Sequence, residues 1–264
     1  MASRKEQKEQ ARARRLAEEQ ARTVRARRDR RLRMFGGVAV LAVAIVAVLI
    51  AVSSGGNSSA NGLQKGTSAN QTVTAVTKLL SGIPQSGATL GSSKAPVTMT
   101  YYGDLECPVC RDFTLSGGFP QLVSNDVRGG KVQVVYKAFQ TATQDPTVFK
   151  TQQTAALAAG QQQHFWDYAE LFYHEQGAEG SGYVNDAYLT GLAKQVPGLN
   201  LNTWSSARNS PTLQAQVTAE EQAAAAAGVN ATPTLVVRGP TGKQAAATGV
   251  LQYADLQKLI KKVA

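Results

Sequence analysis

The stretch VTMTYYGDLECPVCRDF, residues 97–113, is the most informative part of the chain, because a β-rich run leads directly into its only two cysteines. Residues 97–102 are β-branched, aromatic or methionine, which predicts a strand. Cys107 and Cys110 enclose Pro108 and Val109, and a predicted helix follows from about Cys107 to Ser124. A strand that ends in a C-x-x-C pair at the start of a helix has a specific chemical logic.

That logic is the stabilisation of a thiolate. The N-terminus of a helix carries unpaired N–H groups and about half a positive charge, which lowers the pKa of a thiol placed there. We therefore expect Cys107 to be the exposed nucleophile and Cys110, one turn further on, to be the more buried resolving thiol. Pro108 has no N–H to lose in the first turn, and its ring stiffens the loop. The pair is suited to thiol–disulfide exchange through a mixed disulfide.

Two other uses of the cysteines remain possible. A purely structural disulfide would close a very short loop and would restrict the unfolded chain little. A zinc site needs four ligands, and there is no second cysteine pair; His164 and His174 lie far away in a helical segment. We expect neither a metal nor a cofactor.

The basic charge of the chain is confined to its first segment. Residues 1–33 carry 13 Lys or Arg and 5 Asp or Glu, whereas the remaining residues carry 15 and 13. Residues 1–33 are therefore interpreted as a basic cytoplasmic tail, and the balanced charge of the rest gives no indication of nucleic-acid binding.

Residues 34–52 form an uncharged apolar run of 19 residues. A helix of this length spans about 28 Å, close to the thickness of a bilayer core. Arginines precede the run and Ser, Gly and Asn follow it, so the N-terminus is predicted to be cytoplasmic and the rest extracytoplasmic. We expect a single transmembrane signal-anchor helix; a cleaved signal peptide is the alternative. On either interpretation the cysteines face an oxidising compartment.

The segment that follows, 53–72, is rich in Ser, Gly and Asn and is predicted to be a flexible linker. Residues 73–264 are predicted to form one domain. Its first segment, 73–83, has an apolar pattern at helical spacing and is expected to pack on the domain. A short strand and turn are expected in 86–96 and a buried strand in 131–139, and strands are predicted at 234–237 and 244–248 before a final helix over 251–263. Residues 146–227 are helical in pattern throughout. The order of elements predicts an α/β sheet with helices on both faces and a helical insertion.

The residues now support a resemblance. APVTMTYYGDLECPVCRDF (95–113) resembles the DsbA-like branch of the thioredoxin superfamily, and GVNATPT (228–234) resembles its cis-proline loop. GVLQYADLQKLI (249–260) is similar to its C-terminal helix, and HFWDYAELFY (164–173) to a helix of the inserted domain. The similarity spans roughly residues 84–264. It implies a thioredoxin fold and thiol–disulfide exchange on secreted proteins.

The resemblance also implies roles for individual residues. It makes Cys107 the nucleophile and Cys110 the resolving cysteine, and it places a cis Thr232–Pro233 peptide opposite the pair. The main-chain groups of Thr232 could then bind an extended substrate strand.

This sequence departs from the family at two points. Many relatives have an acidic residue six positions before the first cysteine, where this chain has Tyr101. Strongly oxidising members often have a histidine between the cysteines, where this chain has Pro108 and Val109. We therefore regard Pro108 and Val109 as candidates for tuning the redox potential. Asp104 and Glu106 are further candidates, although we expect them to face solvent or to cap the helix.

Three functions are compatible with these features. The first is a membrane-tethered oxidoreductase that forms disulfides in exported proteins and is reoxidised by a quinone-linked membrane protein, a partner that the resemblance implies. The second is the reverse activity, a disulfide reductase or isomerase. The third is a binding or chaperone module that uses the aromatic residues of the insertion, Phe165, Trp166, Tyr168 and Phe172, as a surface. These aromatics are better suited to the core of the insertion, and the cysteine pair argues against pure binding.

Overall fold

The structure is a computed structural model that describes residues 62–264. The predicted cytoplasmic tail, the predicted transmembrane helix and the first part of the predicted linker lie outside the described residues. Within 62–264, no helix has the length and apolarity needed to cross a bilayer.

A six-stranded mixed sheet forms the centre of the domain. Its strands are β1 (Gln85–Ser86), β2 (Thr89–Leu90), β3 (Val97–Gly103), β4 (Val132–Ala138), β5 (Thr234–Arg238) and β6 (Gln244–Thr248). The spatial order is β1-β2-β4-β3-β5-β6, in which β3 and β4 are parallel and all other neighbours are antiparallel. The predicted strands over 97–102, 131–139, 234–237 and 244–248 are confirmed, and the short strand expected in 86–96 is a two-stranded hairpin.

Helices surround the sheet and make up the insertion. They are α1 (Gly66–Leu80), α2 (Pro108–Leu115), α3 (Phe119–Leu122), α4 (Pro146–Gly160), α5 (Phe165–His174), α6 (Asp186–Gln195), α7 (Leu201–Ala207), α8 (Pro211–Ala226) and α9 (Tyr253–Val263). A short π-helix, Val123–Val127, follows α3 directly. Helices α4 to α8 lie between β4 and β5, so the predicted helical insertion is confirmed.

The two faces of the sheet carry different helices. Met99 and Tyr101 of β3 are fully buried on one face, where α2, α5 and α9 pack. Lys137 of β4 points to the other face and forms an ion pair with Glu220 of α8 at 2.9 Å. Helices therefore cover both faces, as the order of elements predicts.

An aromatic cluster joins the sheet to the insertion. Tyr101 lies with its ring centroid 5.4 Å from those of both Phe113 and Tyr136, and Trp166 stacks on Phe119 at 5.3 Å. All of these side chains are buried. The insertion and the sheet thus share one core.

The insertion aromatics cannot form the binding surface that one of the three functions requires. Phe165, Trp166, Tyr168 and Phe172 have no exposed area. That interpretation is wrong, and the expectation that these residues form a core is confirmed.

The helix after the cysteines is shorter than predicted. It ends at Leu115, and the chain turns through Gly117 and Gly118 before α3 begins. A Cβ atom at Gly118 would lie 2.6 Å from the backbone nitrogen of Tyr253, so only glycine allows α9 to start this close. The sequence carries a local signal for this break, since Gly117 and Gly118 are followed by Pro120, and the predicted helix passed over it.

The first described helix, α1, begins at Gly66 and so extends into the segment predicted as a linker. Val76 and Leu80 are buried against the domain. Arg128 donates to the carbonyls of Leu79 and Ser81 at 2.8 and 2.6 Å, which satisfies acceptors at the C-terminal end of the helix. The expected packing of 73–83 on the domain is confirmed.

Candidate active site

Cys107 is the N-cap residue of α2. Its backbone is extended (φ −71°, ψ 118°), and its sulfur accepts a hydrogen bond from the backbone N–H of Cys110 at 3.4 Å. Pro108 occupies the first helical position, where no N–H is needed. The sulfur of Cys107 therefore lies at the positive end of the helix dipole, in the place that a capping oxygen usually takes.

The expectation that Cys107 is exposed is wrong in this structure. Only 4% of the residue is accessible, and Cys110 is fully buried. Both cysteines are free thiols. Val109 is 41% exposed and lies between them at the surface. The cis-proline loop, which the chain reaches more than a hundred residues later, contributes to this burial through the contact of Thr232 with the Cys107 sulfur.

The environment lowers the pKa of Cys107 from 9.0 to about 6. The main cause is a hydrogen bond from the Cys110 thiol, which stabilises the Cys107 thiolate. The Thr232 side chain and the backbone N–H groups of Cys110 and Val109 act in the same direction, and all these contacts together outweigh the burial of the sulfur, which raises the pKa. Burial raises the pKa of Cys110 well above its usual value, so the two thiols differ strongly in acidity.

Beneath the pair lies Tyr101, at the position where many relatives have an acid. Its hydroxyl lies 3.3 Å from the carbonyl oxygen of Cys110, 3.1 Å from the Thr114 hydroxyl and 3.4 Å from the Tyr173 hydroxyl. Burial raises the pKa of Tyr101, so this residue is neutral at physiological pH.

The predicted cis-proline loop packs against the cysteines. The Thr232–Pro233 peptide is cis, as the family resemblance implies. The Cys107 thiol lies 3.6 Å from the carbonyl oxygen of Thr232 and can donate to it. The structure therefore brings Cys107, Cys110, Thr232 and Pro233 together, although they come from opposite ends of the domain.

Asp104 does not face solvent, which corrects the expectation from the sequence. It is fully buried. One carboxylate oxygen, Oδ2, accepts from the backbone N–H groups of Thr141, Ala142 and Thr143 at 2.9–3.0 Å. The other, Oδ1, accepts from the Thr143 hydroxyl at 2.6 Å and from Gln152 at 3.3 Å. The carboxylate thus fixes the loop that follows β4.

Glu106 is also buried, with 5% of the residue accessible, so it neither faces solvent nor caps α2. Burial raises its pKa, and the nearby Asp104 carboxylate contributes in the same direction. The capping position is occupied by Cys107 instead.

Sequence reasoning missed Gln176, which follows α5. Its side-chain amide donates to the carbonyl of Leu105 at 2.7 Å and to that of Cys107 at 3.3 Å. The insertion therefore holds the backbone on which the nucleophile lies. No local pattern around Gln176 signals this contact, because its partners lie about 70 residues earlier in the chain.

Comparison with known proteins agrees with this geometry. A family model described as thioredoxin matches residues 85–262. Disulfide bond formation protein D of Bacillus subtilis is 26% identical over 183 residues, which cover 66% of this chain and 75% of that protein. The crystal structure of oxidised BdbD from Bacillus subtilis shares the fold, with a TM-score of 0.58 and 23% identity over 69% of this chain and 96% of that one.

A different kind of protein also contains a similar segment. The Na(+)/H(+) antiporter NhaA 1 of Mycolicibacterium gilvum is 30% identical over 164 residues, or 61% of this chain. The matching segment makes up only 25% of the antiporter. The similarity therefore concerns one part of that protein and carries no transport activity to this chain.

Proposed function

Because this chain belongs to the thioredoxin family and is a thiol:disulfide oxidoreductase of the DsbA and BdbD type, we propose that it forms disulfide bonds in exported proteins. The main observation in support of this direction of exchange is the stabilised thiolate at Cys107, whose pKa is lowered to about 6. An enzyme whose reduced form is stabilised gives up its disulfide readily and is therefore an oxidant.

The size of this effect follows from the pKa. At pH 7, a thiol with a pKa of about 6 gains about 1.4 kcal/mol from ionisation relative to one with a pKa of 9. For a two-electron couple this is about 30 mV toward the oxidising side. The name of the relative in Bacillus subtilis, a disulfide bond formation protein, supports the same direction.

The proposed reaction begins with the Cys107–Cys110 disulfide. A client thiolate attacks the sulfur of Cys107, a mixed disulfide forms, and the S–S bond to Cys110 breaks. A second client thiolate then attacks the client sulfur of the mixed disulfide and releases the Cys107 thiolate. The client loses two electrons and the cysteine pair gains them. In this scheme Thr232 and Pro233 contact the extended client strand beside the pair.

The site needs an electron acceptor to work repeatedly, so a reoxidising partner is part of the proposal. We place the catalytic domain outside the cytoplasm, where disulfides persist, and propose that residues 34–52 anchor it and that the N-terminal tail stays inside. A quinone-linked membrane protein is the class of partner that the family resemblance implies.

Redox titration of the purified protein against glutathione tests the direction. We expect a potential on the oxidising side of the value of about −270 mV of a reductase, by at least the roughly 30 mV that the Cys107 thiolate supplies. The potential should fall by about 60 mV per pH unit below pH 6 and by about 30 mV above it, because only Cys110 keeps its proton there. A potential at or below about −270 mV would establish the reductase instead.

Two variants test whether clients react at the predicted atom. We expect Cys107→Ser to lose all exchange activity. The variant Cys110→Ser should accumulate mixed disulfides between Cys107 and client proteins, which are visible as adducts on a non-reducing gel. Absence of any such adduct in Cys110→Ser would contradict exchange on protein substrates.

A further inference from the structure

The loop after β4 is held rigidly at the edge of the cysteine site. The three consecutive N–H groups of Thr141, Ala142 and Thr143 all donate to one oxygen of Asp104. Hydrogen bonds to an ionised acceptor are stronger than neutral ones, and a concave group of N–H donors is a favourable cradle for an anion. The position of the Thr141 backbone is therefore determined by a buried carboxylate three residues before Cys107.

The side chain of Thr141 connects this loop to the cis-proline loop. The hydroxyl groups of Thr141 and Thr232 are hydrogen-bonded to each other. Thr232 in turn contacts the nucleophile in two ways. Its carbonyl oxygen lies 3.6 Å from the Cys107 sulfur and accepts from the thiol, and its side chain lowers the pKa of Cys107.

A hydroxyl group has only one proton, which decides how this chain of contacts works. If Thr232 donated to Thr141, it would have no proton left for the sulfur. If Thr141 donates to Thr232, the Thr232 proton is free to point at the Cys107 thiolate. The second arrangement suits the ionised state of Cys107. In it the thiolate accepts a hydrogen bond from Thr232, and the Thr232 oxygen accepts one from Thr141.

We propose that Thr141 is a positioning residue for thiol–disulfide exchange, which orients the Thr232 hydroxyl so that it donates to the Cys107 thiolate. The inference rests on the proposed role of Cys107 as the reacting thiolate. Thr141 itself does not touch the reacting sulfur in this scheme. It acts through Thr232, and Asp104 keeps it in place.

The expected effect is modest but measurable. When a hydroxyl group accepts one hydrogen bond, the bond that it donates becomes stronger by roughly 10–30%. Here the donated bond would go to a thiolate, and hydrogen bonds to charged groups are stronger than those between neutral groups. Removal of the Thr141 hydroxyl should therefore raise the proton affinity of Cys107 about threefold. The side chain is exposed, so its replacement should disturb the core little.

The experiment compares Thr141→Val, which keeps the shape but removes the hydroxyl, with Thr141→Ser, which keeps the hydroxyl. Thr141→Ala serves as a second variant without a hydroxyl in case the valine perturbs the loop. Thr151→Val is the matched control, because Thr151 is also exposed and bonds only to the carbonyl of Thr147 in its own helix. The rate of iodoacetamide alkylation of Cys107 is measured from pH 4.5 to 9 in the reduced proteins.

We expect Thr141→Val and Thr141→Ala to be alkylated about threefold more slowly than wild type at pH 5 and at the same rate at pH 8. The profiles of Thr141→Ser and Thr151→Val should coincide with that of wild type. If Thr141→Val follows the wild-type curve, or if Thr141→Ser is slowed as much as Thr141→Val, the positioning role is overturned while exchange by wild type still stands. If wild type itself shows no exchange activity, the proposed function fails first.

Discussion

Replacement of Cys110 by alanine is the most direct test of why the nucleophile is acidic. The hydrogen bond from the Cys110 thiol is the main cause of the lowered pKa of Cys107. Alanine removes this donor, whereas the backbone N–H of residue 110, which lies 3.4 Å from the Cys107 sulfur, is unchanged. Serine at the same position keeps an O–H donor and is the matched control.

The magnitude follows from the strength of the lost bond. A hydrogen bond to a charged group contributes about 1.5–3 kcal/mol, and one pKa unit corresponds to about 1.4 kcal/mol. The pKa of Cys107 should therefore rise from about 6 in wild type to about 7–8 in Cys110→Ala. It should not return to 9, because the N–H groups of α2 and the Thr232 hydroxyl still stabilise the thiolate. In Cys110→Ser the pKa should lie below that of the alanine variant.

The measurement is the pH dependence of alkylation of the reduced proteins, read by mass spectrometry so that the modified cysteine is identified. In wild type the rate should reach half of its plateau near pH 6, because the thiolate fraction grows as the pH rises through the pKa. At pH 7, about nine-tenths of Cys107 should be ionised in wild type but at most about half in Cys110→Ala. Coincident profiles for the wild type and the alanine variant would refute the assignment of the Cys110 thiol as the main stabilising donor.

Three further predictions concern stability. Burial raises the pKa of Glu170 to about 8, so the folded protein favours the protonated side chain. The contribution of this group to the free energy of unfolding is therefore fully present below pH 4.5 and is lost as the pH rises towards 8. Urea denaturation of wild type should show a loss of roughly 3 kcal/mol between pH 4.5 and 7 that is absent from Glu170→Gln, and parallel curves would contradict this. In Tyr101→Phe the Thr114 hydroxyl loses a buried hydrogen-bond partner, so the free energy of unfolding should fall by about 1–3 kcal/mol. An unchanged denaturation midpoint would speak against this hydrogen bond. A Cβ atom at Gly239 would lie 1.8 Å from the carbonyl oxygen of Val263. Gly239→Ala should therefore displace α9 and lower the melting temperature markedly. An unchanged melting curve would exclude this close contact.

Local patterns predicted most of the secondary structure correctly. β3 and β4 were evident from their β-branched and aromatic residues, and the insertion from its helical periodicity. The break between α2 and α3 was missed although Gly117, Gly118 and Pro120 signal it locally; the close approach of α9 explains why residue 118 must be glycine. Neither the aromatic contacts across the core nor the anchoring by Gln176 has a local signal.

Local features of the sequence were enough to predict a redox-active pair at the start of a helix: the C-x-x-C spacing, the preceding strand and Pro108. The sequence also indicated the cis-proline loop through the family resemblance. The burial of the Cys107 sulfur and of the Asp104 and Glu106 side chains, in contrast, became evident from the three-dimensional contacts alone. These properties depend on contacts between distant segments, which no local pattern encodes. Asp104 and Thr141 are 37 residues apart in sequence, and Cys107 and Thr232 are 125 apart. Contacts between such distant residues form only when the sheet has assembled.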